Sequence, residues 1–432
     1  MYSLVRSLWL AGRGLAACLF FSAMTQGQEI PNVLSLGEAI DLAVARNPSI
    51  KAAQNEVEML EGDRITASQR LNPAATVETE NYPYFSGSPG PFFSNQEITA
   101  RLDYEIETRG RRRLRTLAAD RAVEAQQSVY ADRLRQLRLE VQRTFYEVVL
   151  ARANLEVARS VLDQTDEVIS LNRVRFEQGE ISQLELRRVE VERLRFIDDV
   201  FQSELALRNA KCTLLSLLNA DDLGREIDVT GKLRVEKPAS EPWLPPPASL
   251  AELQQIAMRE RPDLEAAILE ESRTDTETRL QRAIRSPNVT VSGGYKRNGP
   301  DNSLVFGVTV PLKIFNRNEG GILRAGAERE RTRNLAQAVR KRIELDIQKA
   351  YNAVEINRRR VEYIVTRHLD KSREANTVTL AAYRLGGATL IDYLDAARQY
   401  SDAVRSYNQA LYDERVSLYE LASAVGLEGG RT

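Results

Sequence analysis

Apolar residues recur along the chain with a period of two in a few short segments and with a helical period almost everywhere else. In residues 96–106, Ile98 and Leu102 fall on one side of an extended chain, and Arg101 and Asp103 fall on the other. Alternation over about ten residues is typical of a membrane β-strand with an apolar outer face and a polar inner face. A soluble hairpin with one buried face would show the same pattern. The predicted strands cover residues 75–82, 96–106, 288–296 and 303–311.

Helical periodicity dominates two long stretches without proline, residues 112–175 and 324–383. Their apolar residues recur at spacings of three, four and seven, which predicts helices that pack sideways against other helices. Each stretch would extend roughly 90 Å as a helix, which is too long for a compact domain. For either stretch alone, a plain coiled-coil rod is the alternative.

The order of these elements occurs twice. Pro48 and Pro73 match Pro262 and Pro287, each 214 residues later. In both halves a helix is followed by two short strands, a very long helix, a glycine-containing turn and a last helix. Prolines repeated at one offset favour an internal duplication. The two predicted hairpins are 75–106 and 288–311, and the two glycine turns are at Gly179 and Gly386.

The duplication predicts how the chain is divided. Residues 1–27 contain two arginines, an apolar run and then small residues, which indicates a secretory signal peptide. Cys18 ends a lipoprotein-type cleavage box inside that run, so lipidation of Cys18 is the alternative. Residues 28–218 form the first repeat and residues 248–427 the second. Between them, residues 219–247 form an irregular, proline-rich connection.

Charge and composition give no support to several classes of function. The chain has 60 basic and 61 acidic residues, so its net charge of −1 does not indicate a nucleic-acid partner. The single histidine, His368, lies within a predicted helix, and no spacing of His, Cys or carboxylates is typical of a metal site. We therefore predict that the protein is not an enzyme and holds no cofactor. Cys212, in a helical run, is predicted to be a small buried apolar residue.

Four strands in one chain cannot close a membrane barrel, and an open sheet edge is not tolerated in lipid. Two chains would supply eight strands, which leave an interior filled by side chains, and three chains would supply twelve, which leave a passage. A membrane-spanning role therefore requires several copies of the chain.

The duplicated order, the Asn-Pro near the start and the glycine-tipped helical hairpins resemble the TolC-type outer membrane efflux channel family. The segments LDYEIETRGRRRLR, at 102–115, and VPLKIFNRNEGGILRA, at 310–325, are similar to strand-to-helix junctions of its CzcC-like heavy-metal branch. The resemblance implies an α+β membrane protein and a homotrimer. Its twelve-stranded outer membrane barrel would continue as a twelve-helix barrel in the periplasm. It also implies a passive exit duct for small cargo, heavy-metal cations above all, that works with a periplasmic adaptor and an inner-membrane RND pump.

The same resemblance implies that the functional residues lie at the two hairpin tips, which close the periplasmic end and dock the adaptor. Asp392 and Asp395 match acidic residues at the narrowest aperture, where a trimer would bring six carboxylates together. Such crowding would raise some of their pKa values and attract cations. Without the resemblance, both are ordinary acids near a helix start. The tip and docking residues are Phe176, Gly179, Glu185, Tyr383, Arg384, Gly386 and Gly387.

A latch between neighbouring helices is a further implication of the resemblance. Tyr383 and Glu185 match two of its residues, but Ala388 stands where the family has an arginine. Arg384 is the candidate substitute. Two other functions remain open: a type I secretion channel of the same family, and a periplasmic adaptor or coiled-coil scaffold without a pore.

Overall fold

A computed structural model of the protein describes residues 30–81, 96–233 and 249–427. The predicted signal peptide and Cys18 lie outside these residues. The described chain is mostly helical and divides into two compact units. One unit comprises the described residues of Met1–Asn47 and Val141–Lys232, and the other those of Pro48–Glu140 and Leu233–Thr432.

Helices begin and end close to where the periodicity predicts them, with two differences. The helices predicted to end at Pro73 and Pro287 end earlier, at Ser68 and Ile284, and a short non-helical segment leads from each helix to its proline. The second long helix is interrupted by a π-helical turn, Val365–Leu369, which the sequence pattern did not predict. The helices are α1 Leu36–Arg46, α2 Pro48–Ser68, α3 Arg111–Glu177, α4 Gln183–Leu217, α5 Leu250–Glu260, α6 Pro262–Ile284, α7 Glu319–Ile364, α8 Asp370–Arg384 and α9 Leu390–Val425.

The first helices of both halves start in the same way. Ser35 caps α1 and Ser249 caps α5, each through a capping box with the glutamate three residues later, Glu38 or Glu252. In each half one residue, Asn47 or Arg261, separates this helix from a proline that begins the next helix. No helix in the described ranges is both long enough and apolar enough to cross a bilayer.

Four strands of the second unit form one antiparallel sheet. They are β2 Ala74–Glu80, β3 Glu97–Ile106, β5 Val289–Asn298 and β6 Asp301–Thr309, in the order β2-β3-β5-β6. Each bound lies within two residues of the predicted one. The pairing of β3 with β5, in which Ile106 lies opposite Val289, joins the hairpin of the first half to that of the second.

The two faces of this sheet differ in polarity. On one face the large apolar side chains are exposed, for example Leu102 of β3 and Phe306 of β6, which is 83% exposed. On the other face, Arg101 donates hydrogen bonds to Glu78 and Asp103, and Lys296 pairs with Glu97. The alternation read from the sequence is therefore present as a mainly apolar face opposite a cross-linked polar face.

In the first unit a small parallel sheet pairs β1, Val33–Leu34, with β4, Asp228–Val229. Arg152 donates hydrogen bonds to the carbonyls of Val229 and Gly231, at 2.7 Å each. A Cβ at Gly231 would lie 2.8 Å from Phe145, so the segment needs glycine there. Part of the connection predicted to be irregular is thus ordered against α3, while residues 234–248 lie outside the described residues.

The prediction for Cys212 was wrong. Its side chain is only partly buried, and its thiol donates a hydrogen bond to the carbonyl of Leu223 at 3.2 Å. The residue lies near the end of α4, where the chain turns into the connection, so it holds the turn instead of filling a core.

Candidate functional site

The second helical hairpin turns at Gly386, whose φ of +80° is a conformation that glycine adopts without strain. The Gly386 amide donates to the carbonyl of Tyr383 at 3.1 Å, and the Gly387 amide donates to that of Ala382 at 2.8 Å. These bonds satisfy the last carbonyls of α8. Thr389 then begins α9 as its N-cap, so the whole reversal takes five residues between the two helices.

Asp392 completes a capping box at this turn. Its carboxylate accepts hydrogen bonds from the Thr389 amide at 2.9 Å and from the Thr389 hydroxyl at 2.6 Å, and its own amide donates to that hydroxyl at 3.2 Å. The hydrogen bonds from the Thr389 side chain and backbone lower the pKa of Asp392. The carboxylate is therefore held at the helix start and ionised.

Asp395 lies one turn further along α9. Its side chain is 56% exposed and accepts a hydrogen bond from Arg398 at 3.2 Å. The two acids singled out in the sequence thus have different surroundings. Asp392 has a local structural task, whereas Asp395 has only a surface ion pair, which is worth little in water.

Tyr383 is buried, in contrast to its neighbours at the tip. Its ring stacks on that of Tyr393, with centroids 5.9 Å apart and planes at 19°. Both tyrosines are at most 5% exposed, whereas Arg384 is exposed and Leu385 is 89% exposed. The stack ties the end of α8 to the first turn of α9, and the exposed surface at this tip includes Arg384, Leu385, Gly386 and Gly387.

The first hairpin has the same backbone form with different side chains. Gly179 has a φ of +76°, and its amide donates to the carbonyl of Phe176 at 2.9 Å. Ser182 caps α4 through a capping box with Glu185. Phe176, which occupies the position of Tyr383, is 40% exposed. Glu185 belongs to the first unit and Tyr383 to the second, and the latch between them stays a prediction.

The chain crosses between sheet and helix at two further places, which we name the polar junction (residues 107–110) and the apolar junction (residues 310–318). At the polar junction Arg111 donates to the carbonyls of Ala283 and Ile284, at the end of α6. Arg115 bonds Glu107 at 2.6 Å and the carbonyl of Ala67 at 3.0 Å. Arginines therefore cap both helices that precede the hairpins.

At the apolar junction, by contrast, large apolar side chains are exposed. Leu312 is 79% exposed and Phe315 is 98% exposed. The backbone is nevertheless held locally, because Asn318, with a φ of +61°, donates from its side chain to Gln281. The exposed apolar residues of this segment are Val310, Leu312, Ile314 and Phe315.

Sequence reasoning missed a buried arginine. Arg261 is 4% exposed and bonds Asp263 at 2.7 Å, Asp346 at 3.4 Å and the carbonyl of Ala424 at 3.2 Å. Burial opposes the charge of Arg261, but hydrogen bonds to Asp263 and the nearby carboxylates raise its pKa overall. The Arg-Pro-Asp sequence, in which the arginine precedes the first residue of α6, was the available signal.

His368 is exposed in the π-helical turn. Across the described residues, no group of three or more His, Cys, Asp or Glu is arranged to hold a metal ion. The described residues at the tips provide exposed charged side chains and glycine-containing turns.

Known proteins resemble this chain in sequence and in fold. The sequence model described as outer membrane efflux protein matches residues 39–220 and 253–427. The cobalt-zinc-cadmium resistance protein CzcC of Cupriavidus metallidurans is 25% identical over 374 residues, which are 86% of this chain and 85% of that protein. A structure of CusC has a TM-score of 0.77 at 18% identity and covers 91% of this chain and 92% of its own. The CmeC outer membrane channel of Campylobacter jejuni has a TM-score of 0.77 at 17% identity, over 90% of this chain and 85% of its own.

Proposed function

The chain belongs to the outer membrane efflux protein family, and we propose on that premise that it is the outer membrane channel subunit of a tripartite, RND-type efflux system. As an efflux channel it lies in the outer membrane and extends into the periplasm. In this proposal three copies assemble into one channel, and the channel is a passive duct for small cargo. The partners are a periplasmic adaptor and an inner-membrane pump.

The observation that carries the proposal is the four-stranded sheet with one exposed apolar face. Such a face favours lipid contact, and the edge strands β2 and β6 offer backbone groups to other strands. Three copies joined edge to edge would give a barrel of twelve strands, and three sets of long helices would continue it. The two segments matched by the family model begin 214 residues apart, the same offset as the prolines, which supports an internal duplication.

Cargo is inferred from the relatives and from charge. The name of CzcC refers to cobalt, zinc and cadmium resistance, and heavy-metal cations are the class of cargo we propose for this chain. In a trimer, three copies of Asp392 and Asp395 would bring six carboxylates to one axis and favour cations there. Because Asp392 is exposed and held ionised by neutral donors, whereas Asp395 pairs with Arg398, we assign the larger part of the selectivity to Asp392.

Two alternatives remain as competing outcomes. A type I secretion channel of the same family would share the fold and the tip acids and would depend on a different pump. A periplasmic adaptor or scaffold would leave the apolar sheet face without a function, since such a protein needs no lipid-facing strands.

Single-channel conductance in planar bilayers tests the proposal and separates the two acids. We compare the wild-type mature protein with Asp395→Asn and Asp392→Asn, which remove one charge each while keeping the side-chain volume. Asp198→Asn, an exposed acid on α4, is the matched control. We expect cation-selective currents for the wild type, a roughly threefold loss of selectivity for Asp392→Asn and a smaller loss for Asp395→Asn, whose charge Arg398 already offsets in part.

The outcomes are distinct. Pores whose selectivity is the same in all four proteins would keep the channel and remove the aperture assignment. Protein that stays soluble and forms no pores would favour the scaffold. Wild-type pores without preference for cations would overturn heavy-metal cations as the proposed cargo.

A further inference from the structure

Within residues 30–81, 96–233 and 249–427, the apolar junction is an exposed apolar segment to which the proposed channel mechanism gives no role. It follows β6 directly, and its side chains do not fold back onto the helices: every residue from Pro311 to Arg317 is exposed. A protein surface rarely presents so many large apolar groups in one short segment unless they contact a partner or a membrane.

The segment continues the apolar stripe of β6. Every second residue from Leu304 to Ile314 is apolar and exposed, although the strand itself ends at Thr309. The stripe therefore passes without a break from the apolar face of the sheet into the junction. It consists of Leu304, Phe306, Val308, Val310, Leu312 and Ile314.

Two basic residues lie among these apolar ones. Lys313 and Arg317 are exposed, and neither forms an ion pair with another described residue. Apolar side chains mixed with Lys or Arg are typical of segments that lie at a membrane surface, because the apolar groups enter the acyl boundary while the cations meet anionic headgroups.

A second copy of the chain is the competing occupant. It would reach the sheet through the edge strands, by backbone hydrogen bonds in the plane of the sheet, whereas the stripe stands on the face of the sheet. A protein interface would also leave the exposed charges of Lys313 and Arg317 to be paired, and a lipid surface supplies anions for both.

We propose that residues 310–318 form an interfacial anchor, in which Leu312, Ile314 and Phe315 enter the periplasmic leaflet of the outer membrane and Lys313 and Arg317 bind anionic phospholipid headgroups. The anchor rests on the proposed insertion of the sheet into the membrane. It would fix the depth of the channel at the level where sheet becomes helix.

Tryptophan quenching by brominated lipids tests this placement in the full-length mature protein reconstituted into vesicles. The background carries Trp243→Phe. Phe315→Trp reports on the junction, Phe306→Trp on the sheet face, and Leu385→Trp, at the equally exposed second tip, is the matched control. We expect the brominated lipid to reduce the emission of the first two variants roughly twofold and to leave the third unchanged.

Each result decides between the proposals. Quenching at position 306 without quenching at 315 would overturn the anchor and keep the channel, and a cysteine cross-link at 315 between copies would then identify the second copy as the occupant. Absence of quenching at both positions would overturn the channel and the anchor together.

Lipid charge gives an independent measurement. In the Phe315→Trp protein, raising the fraction of phosphatidylglycerol in phosphatidylethanolamine vesicles should increase the quenching, and adding Lys313→Gln and Arg317→Gln should abolish that increase. Quenching that changes neither with the fraction of phosphatidylglycerol nor with the two substitutions would overturn the proposed contact with headgroups.

Discussion

Asn47 and Arg261 occupy the same place in the two halves of the chain, immediately before a proline that begins a helix. The Asn47 side chain donates a hydrogen bond to the carbonyl of Leu217 at 3.2 Å, and Arg261 donates one to the carbonyl of Ala424 at the same distance. Each acceptor belongs to the last helix of its own half.

The two residues perform the same backbone task with different electrostatics. Asn47 satisfies a helix-end carbonyl with a neutral amide. Arg261 brings a buried charge that must be balanced, and Asp263 and Asp346 balance it. The second half therefore depends on a buried charge pair, because removal of Asp263 would leave Arg261 with only the 3.4 Å contact to Asp346, and removal of Arg261 would leave Asp263 without its main partner.

Truncation of Arg261 and of Asn47 should show the largest difference in stability between the two halves. Arg261→Ala removes the partner of Asp263 and should lower the free energy of local unfolding at the end of α9 by about 3–5 kcal/mol. Asn47→Ala should cost only about 1 kcal/mol at the end of α4, since it loses one neutral hydrogen bond. Hydrogen exchange of the amides in each final turn measures both effects. Equal losses at the two sites would contradict the charge argument.

The two tips should respond differently to the same substitution. Tyr383→Leu breaks the buried stack with Tyr393 and should destabilise the second tip by about 1–3 kcal/mol. Phe176→Leu, at the equivalent exposed position, should change the stability of the first tip by less than about 0.5 kcal/mol. Proteolysis rates at the two tips provide the measurement. A labile first tip in Phe176→Leu would show that Phe176 is buried in the assembly.

Low pH should destabilise the contacts of Arg261 more than the hydrogen bond of Asn47. Burial raises the pKa of Asp263, but the hydrogen bonds and charge of Arg261, together with Arg135, lower it below the ordinary value overall. A carboxyl group whose pKa is lower in the folded state stabilises the fold at pH values above its unfolded pKa of about 3.9. This stabilisation is lost as the pH falls below that value. Exchange at the end of α9 should therefore accelerate below about pH 4, after correction for intrinsic rates. The end of α4, held by the neutral Asn47, is the internal control.

Local patterns predicted most of the elements. The strands lie within two residues of their predicted bounds because alternation is a property of the segment itself. The hairpin tips at Gly179 and Gly386 could likewise be read from glycines between helical patterns. The capping role of Asp392 was also present in the sequence, as Thr389 followed three residues later by an acid.

Properties that depend on distant residues could not be predicted. The burial of Tyr383 follows from Tyr393 on another helix, and the network of Arg261 follows from Asp346 and Ala424 far along the chain. The exposure of Phe315 could not be predicted either, because it depends on whether a distant part of the folded chain covers the side chain. The roles of Asp395 and of the tip residues in gating and docking stay predictions.

The pairing of β3 with β5 imposes an order in time. The first β-hairpin leaves the export machinery long before residues 289–298. One edge of β3 therefore remains unpaired while α3 and α4 emerge. An open edge is a template for wrong partners, and contacts between such distant segments form slowly. Early folding of the α3–α4 hairpin would reduce the distance over which β5 must diffuse to pair with β3. The interval between the two hairpins is therefore when the newly exported chain most needs protection from aggregation.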